Sequence, residues 1–355
     1  MIDTDGKIEL AGLTSEELKE FVLSLGESAF RSKQISAWIK QGAQIDEMTN
    51  LSKSLREKLA KASYVHGVEI TRSIVSKLDG TEKYLYTLRD GNIIEGVRMR
   101  YHYGDTLCVS TQVGCRMGCR FCASTLEGCV RNLTAGEILG QLLAVNRHIQ
   151  KLEGESAHIH NIVLMGSGEP LDNYDEVIRF LRLVNAPEGM NISLRNISLS
   201  TCGIVPKLYS LADEQLPVTL SISMHAPNDA IRKQLMPIAN AYTVDEVLKA
   251  CRYYIDKTGR RVIFEYALVK GVNCSEADAD ELSSRLRGLQ CHVNVIPLNS
   301  VQERDLSGPD EETIKAFIKR LEIRHISATR RREMGDDIQG ACGQLRRSYL
   351  KEADV

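Results

Sequence analysis

Cysteine is missing from the first 107 residues; all ten cysteines lie at or after Cys108. A secreted disulfide scaffold is short and spreads its cysteines along the chain, so that class is excluded. Aromatic residues are scarce, at 5% with a single Trp. No apolar run approaches the ~18 residues of a membrane span. Neither sign of charge dominates: the net is −2 over 355 residues, with a pI near 6.5. Bulk charge therefore does not announce nucleic-acid binding, which shows as a strongly basic balance, although local basic patches stay open. The start, Met1-Ile2-Asp3-Thr4-Asp5-Gly6, is polar and acidic, unlike a signal peptide. Low-complexity segments and short-period repeats are also lacking. These absences lead us to expect a cytoplasmic enzyme with one large domain and a small one.

Clustered cysteine is what the chain does have. Cys115, Cys119 and Cys122 lie in Gly114-Cys115-Arg116-Met117-Gly118-Cys119-Arg120-Phe121-Cys122, a C-x3-C-x2-C spacing. Soft thiolates this close wrap one iron–sulfur cluster or one soft metal ion. Three ligands are one short of the usual four, which leaves one iron open to a substrate. A structural zinc site is the alternative, but zinc closes its shell with four protein ligands, often two separated C-x2-C pairs, and no second such pair exists here. The spacing resembles the signature of the radical S-adenosylmethionine (radical SAM) enzymes. The resemblance implies one [4Fe-4S] cluster whose open iron chelates S-adenosylmethionine.

Periodicity divides the chain. Residues 14–25, 35–40 and 51–62 read as helices, the first opening on a capping arrangement, Thr14-Ser15-Glu16-Glu17. Residues 68–110 turn β-rich, with Arg89-Asp90-Gly91-Asn92 as a turn signal. From residue 134 helix and strand alternate. Helices at 134–150, 174–184, 205–214, 244–257, 277–287 and 310–321 interleave with strands at 159–165, 195–200, 218–223, 261–268, 292–296 and 323–327. This predicts an α/β fold with a partial (β/α)6-type barrel, a small N-terminal helical domain and a short β extension. The expected divisions are 1–67 (helical, with Arg31, Lys33, Lys40, Lys53, Arg56, Lys58 and Lys61 as a basic face suited to RNA phosphates), 68–107 (β extension), 108–328 (barrel) and 329–355 (tail).

Barrels place function at the C-terminal ends of their strands. Those ends carry Gly168 and Glu169 (in Met165-Gly166-Ser167-Gly168-Glu169-Pro170), Ser200, Ser223, Met224 and His225, and Asn299. Singly, each is more often a cap or a satisfied core residue; as a set they read as a cofactor site. The Gly-rich turn with Glu169 resembles the radical family's segment that holds the methionine amine. Beyond the last strand lies Asp336-Asp337-Ile338-Gln339-Gly340-Ala341-Cys342-Gly343-Gln344-Leu345. A cysteine flanked by small residues on a tail can swing into a site, and Cys108 is a second thiol outside the cluster set. The pair points to transient thiol chemistry, while Cys129, Cys202, Cys251, Cys274 and Cys291 read as inert.

In order along the chain, Leu107–Cys115, Arg131-Asn132-Leu133-Thr134, Gly166–Asn173, Leu199-Ser200-Thr201, Ser223–Asp229 and Ala341–Leu345 resemble the RlmN-type dual-specificity RNA methyltransferases, relatives of the Cfr methylases. The resemblance covers nearly the whole chain. It implies methylation at C2 of an adenosine in 23S rRNA and in tRNA, with two S-adenosylmethionine molecules per turnover. It implies Cys342 as the cysteine that is methylated and then linked to RNA, Cys108 as the resolving thiol and Glu95 as the base. It also implies an external electron donor of the flavodoxin or ferredoxin kind, with a monomer expected. Gln339 and Gly340 stand where the family pattern has Asp and Ala, and Ser167 where Met is common. Rival readings are C8 methylation, as in Cfr, and a non-catalytic iron–sulfur or zinc protein that binds ribosomes. Pro170 and Pro297 side with the C2 group. Arg330-Arg331-Arg332 and Arg346-Arg347 are candidate RNA contacts, and Arg31, Lys33, Lys40, Lys53, Arg56, Lys58 and Lys61 a candidate basic face.

Overall fold

The computed structural model describes residues 5–299, 301 and 303–345; Arg346 and Arg347 fall outside them. An N-terminal unit comprises β1 (Ile8–Glu9), α1 (Ser15–Ser24), α2 (Phe30–Lys40), α3 (Lys53–Ala62) and β2 (Ser63–Tyr64), with β1 parallel to β2. Thr14 caps α1 in a full capping box with Glu17, which explains why the helix starts there. α2 begins five residues before the predicted start at 35: its first turn carries Ser32, whose hydroxyl bonds back to the Ala29 carbonyl.

Three antiparallel strands follow, β3 (Val68–Val75), β4 (Glu82–Leu88) and β5 (Ile93–Met99), then β6 (Thr106–Cys108). β7 (Gln112–Gly114) and β8 (Cys129–Asn132) pair with each other and bracket the cysteine loop. The repeat then runs α4 (Ala135–Glu153), β9 (Asn161–Leu164), α5 (Tyr174–Asn185), β10 (Ile197–Thr201), α6 (Val205–Asp213), β11 (Thr219–Ser223), α7 (Asp229–Leu235), α8 (Val244–Thr258), β12 (Val262–Leu268), α9 (Glu276–Leu286), β13 (Cys291–Pro297), α10 (Glu311–Ile323) and β14 (Ala328–Arg330).

One ten-stranded sheet results, in the order β14-β13-β12-β11-β10-β9-β6-β5-β4-β3. Every pairing from β6 to β14 is parallel and those among β3–β6 are antiparallel. β14 and β3 are edges, so the barrel is partial, as expected. Buried Val, Ile and Leu fill the parallel strands, and α4 packs against α5 and β3.

The last strand differs from the predicted 323–327. The apolar stretch of α10 runs through Ile323 and ends at Arg324, which pushes the strand to Ala328–Arg330, across the expected division at 328. The helix α7 also went unpredicted; Asn228 caps it by accepting from the Ile231 N–H.

Candidate active site

Strand register brings the predicted residues to one end of the sheet. Ser200 is level with Ser221, and Ser223 is level with Glu265, which is level with Asn294. A cavity of about 160 Å³ at these strand ends is lined by Cys115, Cys119, Cys122, Gly168, Glu169, Ser200, Ser223, His225, Asn299 and Cys342. A smaller one of about 40 Å³ is lined by Cys108 and Cys342 together with Val97, Met99 and Tyr101 of the β extension. Met165, Ile296, Asn299, Arg331 and Cys342 line both. Cys342 thus stands where the cluster side and the Cys108 side meet.

The cysteine loop is shaped by backbone. The Cys115 N–H donates to the Gly128 carbonyl at 2.9 Å and the Cys122 N–H to the Cys119 carbonyl at 3.2 Å. The Thr125 hydroxyl donates to the Cys119 and Cys122 carbonyls. Among the described residues no group of three or more His, Cys, Asp or Glu side chains converges into a ready metal cage; the three thiols share a cavity wall. Burial pushes the Cys115 thiol up to about 12 and raises those of Cys119 and Cys122. Thiolates in this wall therefore need a cation beside them, and iron is the soft-ligand match. The donor set fits an iron–sulfur cluster on that ground.

The Gly-rich turn lies against the strand that precedes the cysteine loop. A Cβ at Gly166 would sit 2.7 Å from the Val109 backbone, and one at Gly168 (φ +110°) 2.7 Å from the Gln112 nitrogen, so both glycines are needed for the close approach. The Glu169 N–H donates to the Gln112 side chain at 2.8 Å. The buried Glu169 carboxylate accepts from the Leu171 and Cys202 N–H groups at 3.0 and 2.8 Å. Burial raises its pKa against those bonds, an environment that favours an ammonium partner. Asn173 bonds the Thr111 and Leu133 carbonyls, and Asp172 accepts from Gln112 and Arg116.

His225 adopts φ +53°. Its Nδ1 accepts from the Ala267 N–H at 2.9 Å, and its ring meets Phe121 edge-on at 4.8 Å. Burial, then Arg232, pushes its pKa down to about 3, so the ring is neutral. Met224 is placed differently from the other strand-end candidates: its side chain lies in the main hydrophobic core, and it does not line the cavity. Glu95 lies on β5, 1% exposed, with its carboxylate 3.0 Å from Lys83 Nζ, and lines neither cavity. Burial and the neighbouring Cys342 push the Cys108 thiol up to about 12.

Several site residues escaped the sequence reading. Arg331, expected at an RNA surface, turns into the barrel, 3.4 Å from the Glu265 carboxylate and 3.3 Å from Met165 sulfur. Of the arginine run, Arg330 and Arg332 are both exposed, Arg330 being tied to Glu311 and Glu333. The fully buried Arg232 donates to the Cys202, Ser223 and Met224 carbonyls, fastening two strand ends. Cys202, read as inert, lines the cavity. For Arg232, its place four residues after the helix-capping Asn228 was the available signal; for Arg331 the sequence offered none.

The model of the ribosomal RNA large subunit methyltransferase N-terminal domain matches residues 8–65, and that of the radical SAM superfamily matches residues 109–282. A probable dual-specificity RNA methyltransferase RlmN of Alkaliphilus oremlandii is 54% identical over 97% of this chain and 99% of its own length. One from Clostridium perfringens strain 13 is 56% identical over 95% and 96%. The chain belongs to the RlmN family of radical SAM RNA methyltransferases. A radical SAM methyltransferase structure from Sphaerobacter thermophilus, 43% identical, superposes with a TM-score of 0.93 over 96% of this chain and all of that one. Membership implies a [4Fe-4S] cluster and S-adenosylmethionine, which Cys115, Cys119, Cys122 and the strand-end residues would hold. Among the described residues no helix is long and apolar enough to cross a membrane.

Proposed function

We propose that this protein methylates C2 of an adenosine in 23S rRNA and in tRNA, working through Cys342. The observation that supports this most is the placement of Cys342 on both cavities, with the three cluster cysteines on one side and Cys108 on the other. The cluster and S-adenosylmethionine, when bound, supply the methyl group and the one-electron cleavage that yields a hydrogen-abstracting radical.

The chain's own residues do the rest. Cys342 sulfur takes a methyl group, losing its proton. A hydrogen atom then leaves that methyl, and the carbon radical on Cys342 bonds to the electron-poor C2, which cannot attack a methyl donor itself. The radical adduct returns one electron to the redox system that supplied one, and Glu95 takes the C2 proton. Cys108 thiolate bonds to Cys342 sulfur, breaking the bond from that sulfur to the methylene carbon, which takes up a proton and stays on the base as the methyl group. The Cys108–Cys342 disulfide is then reduced by the external donor. Two molecules of S-adenosylmethionine serve each turnover, and a small flavodoxin- or ferredoxin-type protein is the electron donor. Glu169, Ser200, Ser223, His225 and Asn299 orient the cofactor, and the buried wall of thiols keeps water from the radical. The target base leaves its stack to enter.

Replacing each thiol in turn tests the reading. Cys342→Ala should make no methylated RNA. Cys108→Ala should accumulate protein covalently joined to RNA, visible as a nuclease-sensitive mass shift. A Cys342→Ala enzyme that still methylates RNA would refute the reading.

A further inference from the structure

The segment carrying Cys342 is held at two separate places. Past Gln339 it rests on the cavity: the Ala123 N–H donates to the Gly343 carbonyl at 2.7 Å, and the Ser124 hydroxyl to the Leu345 carbonyl at 2.8 Å. Before Cys342 it is fastened to the turn between β3 and β4, about 260 residues away in the chain. There two bonds run in opposite directions: the Gly335 N–H donates to the Asp79 carboxylate at 2.9 Å, and the Lys77 N–H donates to the Asp337 carboxylate at 3.0 Å. Lys83, buried on β4, donates to the Gln339 carbonyl at 3.2 Å and pairs with Glu95 at 3.0 Å.

Local shape supports these bonds. Gly335 takes φ +67° with Thr81 so close that a Cβ would lie 2.9 Å from its methyl. The Gly340 N–H closes back on the Gly335 carbonyl at 2.8 Å, so 335–340 forms a compact loop on the turn. Against the upward push of burial, the Gly335 and Thr81 N–H groups hold the Asp79 carboxyl below its ordinary range. The acceptor is thus charged at neutral pH, and such a bond is among the stronger kinds.

We propose that the β3–β4 turn is the pivot of the tail, with Asp79, Asp337 and Lys83 as positioning residues that set the arc of Cys342. This rests on the reading of Cys342 given above. A sulfur that meets a methyl donor, a base and Cys108 in turn must break its contacts inside the cavity, but not those at the turn. Three residues from Gln339 to Cys342 reach about 10 Å when extended, and the two cavities adjoin, sharing Met165, Ile296, Asn299, Arg331 and Cys342 in their linings. Without the pivot the free chain would run from Arg331, reaching roughly 35 Å, and the local concentration of the thiol would fall accordingly. Lys83 adds a second function, because it bonds the candidate base Glu95 and the tail at once.

Asp337 is exposed and Asp79 half-buried, and neither belongs to the hydrophobic core, so their replacement leaves the core intact. The test compares Asp79→Ala, Asp337→Ala and Asp337→Asn, the last keeping an acceptor for the Lys77 N–H. Two readouts are taken: amide hydrogen exchange of residues 335–345, and methylated adenosine formed per 5′-deoxyadenosine. Both alanine variants should exchange the tail at least tenfold faster and lose severalfold in coupling. Iron content and Tm should match the unaltered protein, and Asp337→Asn should stay near it. Alanine variants with unaltered tail exchange and coupling would overturn the pivot. If the unaltered protein methylates no RNA, the functional reading fails, while the exchange result still decides the pivot.

Discussion

The Asn299 side-chain amide donates to the Cys342 carbonyl at 3.1 Å. A residue at the end of a barrel strand, expected to serve the cofactor, therefore also holds the tail where Cys342 shares a cavity with Cys115, Cys119 and Cys122. A hydrogen bond of this kind is worth about 1 kcal/mol, or roughly fivefold in a rate. Asn299→Ala should lower kcat by about that factor with iron content unchanged, measured by single-turnover methylation beside an iron assay.

Gly114 opens the cysteine loop at φ +78°, and a Cβ there would lie 2.0 Å from the Gly128 carbonyl oxygen. That oxygen accepts from the Cys115 N–H, so the clash falls on the bond that positions Cys115, the first candidate cluster ligand. Gly114→Ala should leave far-ultraviolet circular dichroism unchanged, because the strain is local, yet lose most of its iron per chain after reconstitution.

Glu9 ties the N-terminal unit to the barrel: it accepts from the Thr134 hydroxyl and is 1% exposed. Burial, resisted by the Thr134 bond and reinforced by Glu137, raises its pKa from 4.5 to about 7. The folded state therefore prefers the protonated acid. Its full contribution to stability is present below pH 4.5, where both states are protonated, and is lost as pH rises through 7. Glu9→Gln should unfold at higher urea than the unaltered protein at pH 8, by about 1–3 kcal/mol, and show no such advantage near pH 4.5. Chemical unfolding at the two pH values checks this.

Much of the fold was legible because the repeat is strongly marked. Thr134 with Glu137 forms a capping box that starts α4 next to the predicted helix start at 134, and alternating apolar strands and amphipathic helices fall within a few residues of their predicted ranges. Boundaries failed where the period ran on, as at Ile323. The strand-end rule collected Gly168, Glu169, Ser200, Ser223, His225 and Asn299 into one cavity. It did not separate Met224, because a strand's side chains alternate and the next residue faces the core. Arg331 was misjudged because a run of arginines looks alike in sequence, whereas in the fold the end of β14 sends neighbouring side chains to opposite sides. The pivot at Asp79 was illegible for a simpler reason: it joins segments about 260 residues apart, and no local pattern reports such a pairing.

The most direct test is to reconstitute the protein anaerobically with iron and sulfide, reduce it, and supply S-adenosylmethionine with a 23S rRNA fragment. The RNA is then digested and its nucleosides are read by mass spectrometry. The account predicts 2-methyladenosine together with 5′-deoxyadenosine. 8-Methyladenosine, or cofactor cleavage with no methylated base, would contradict it.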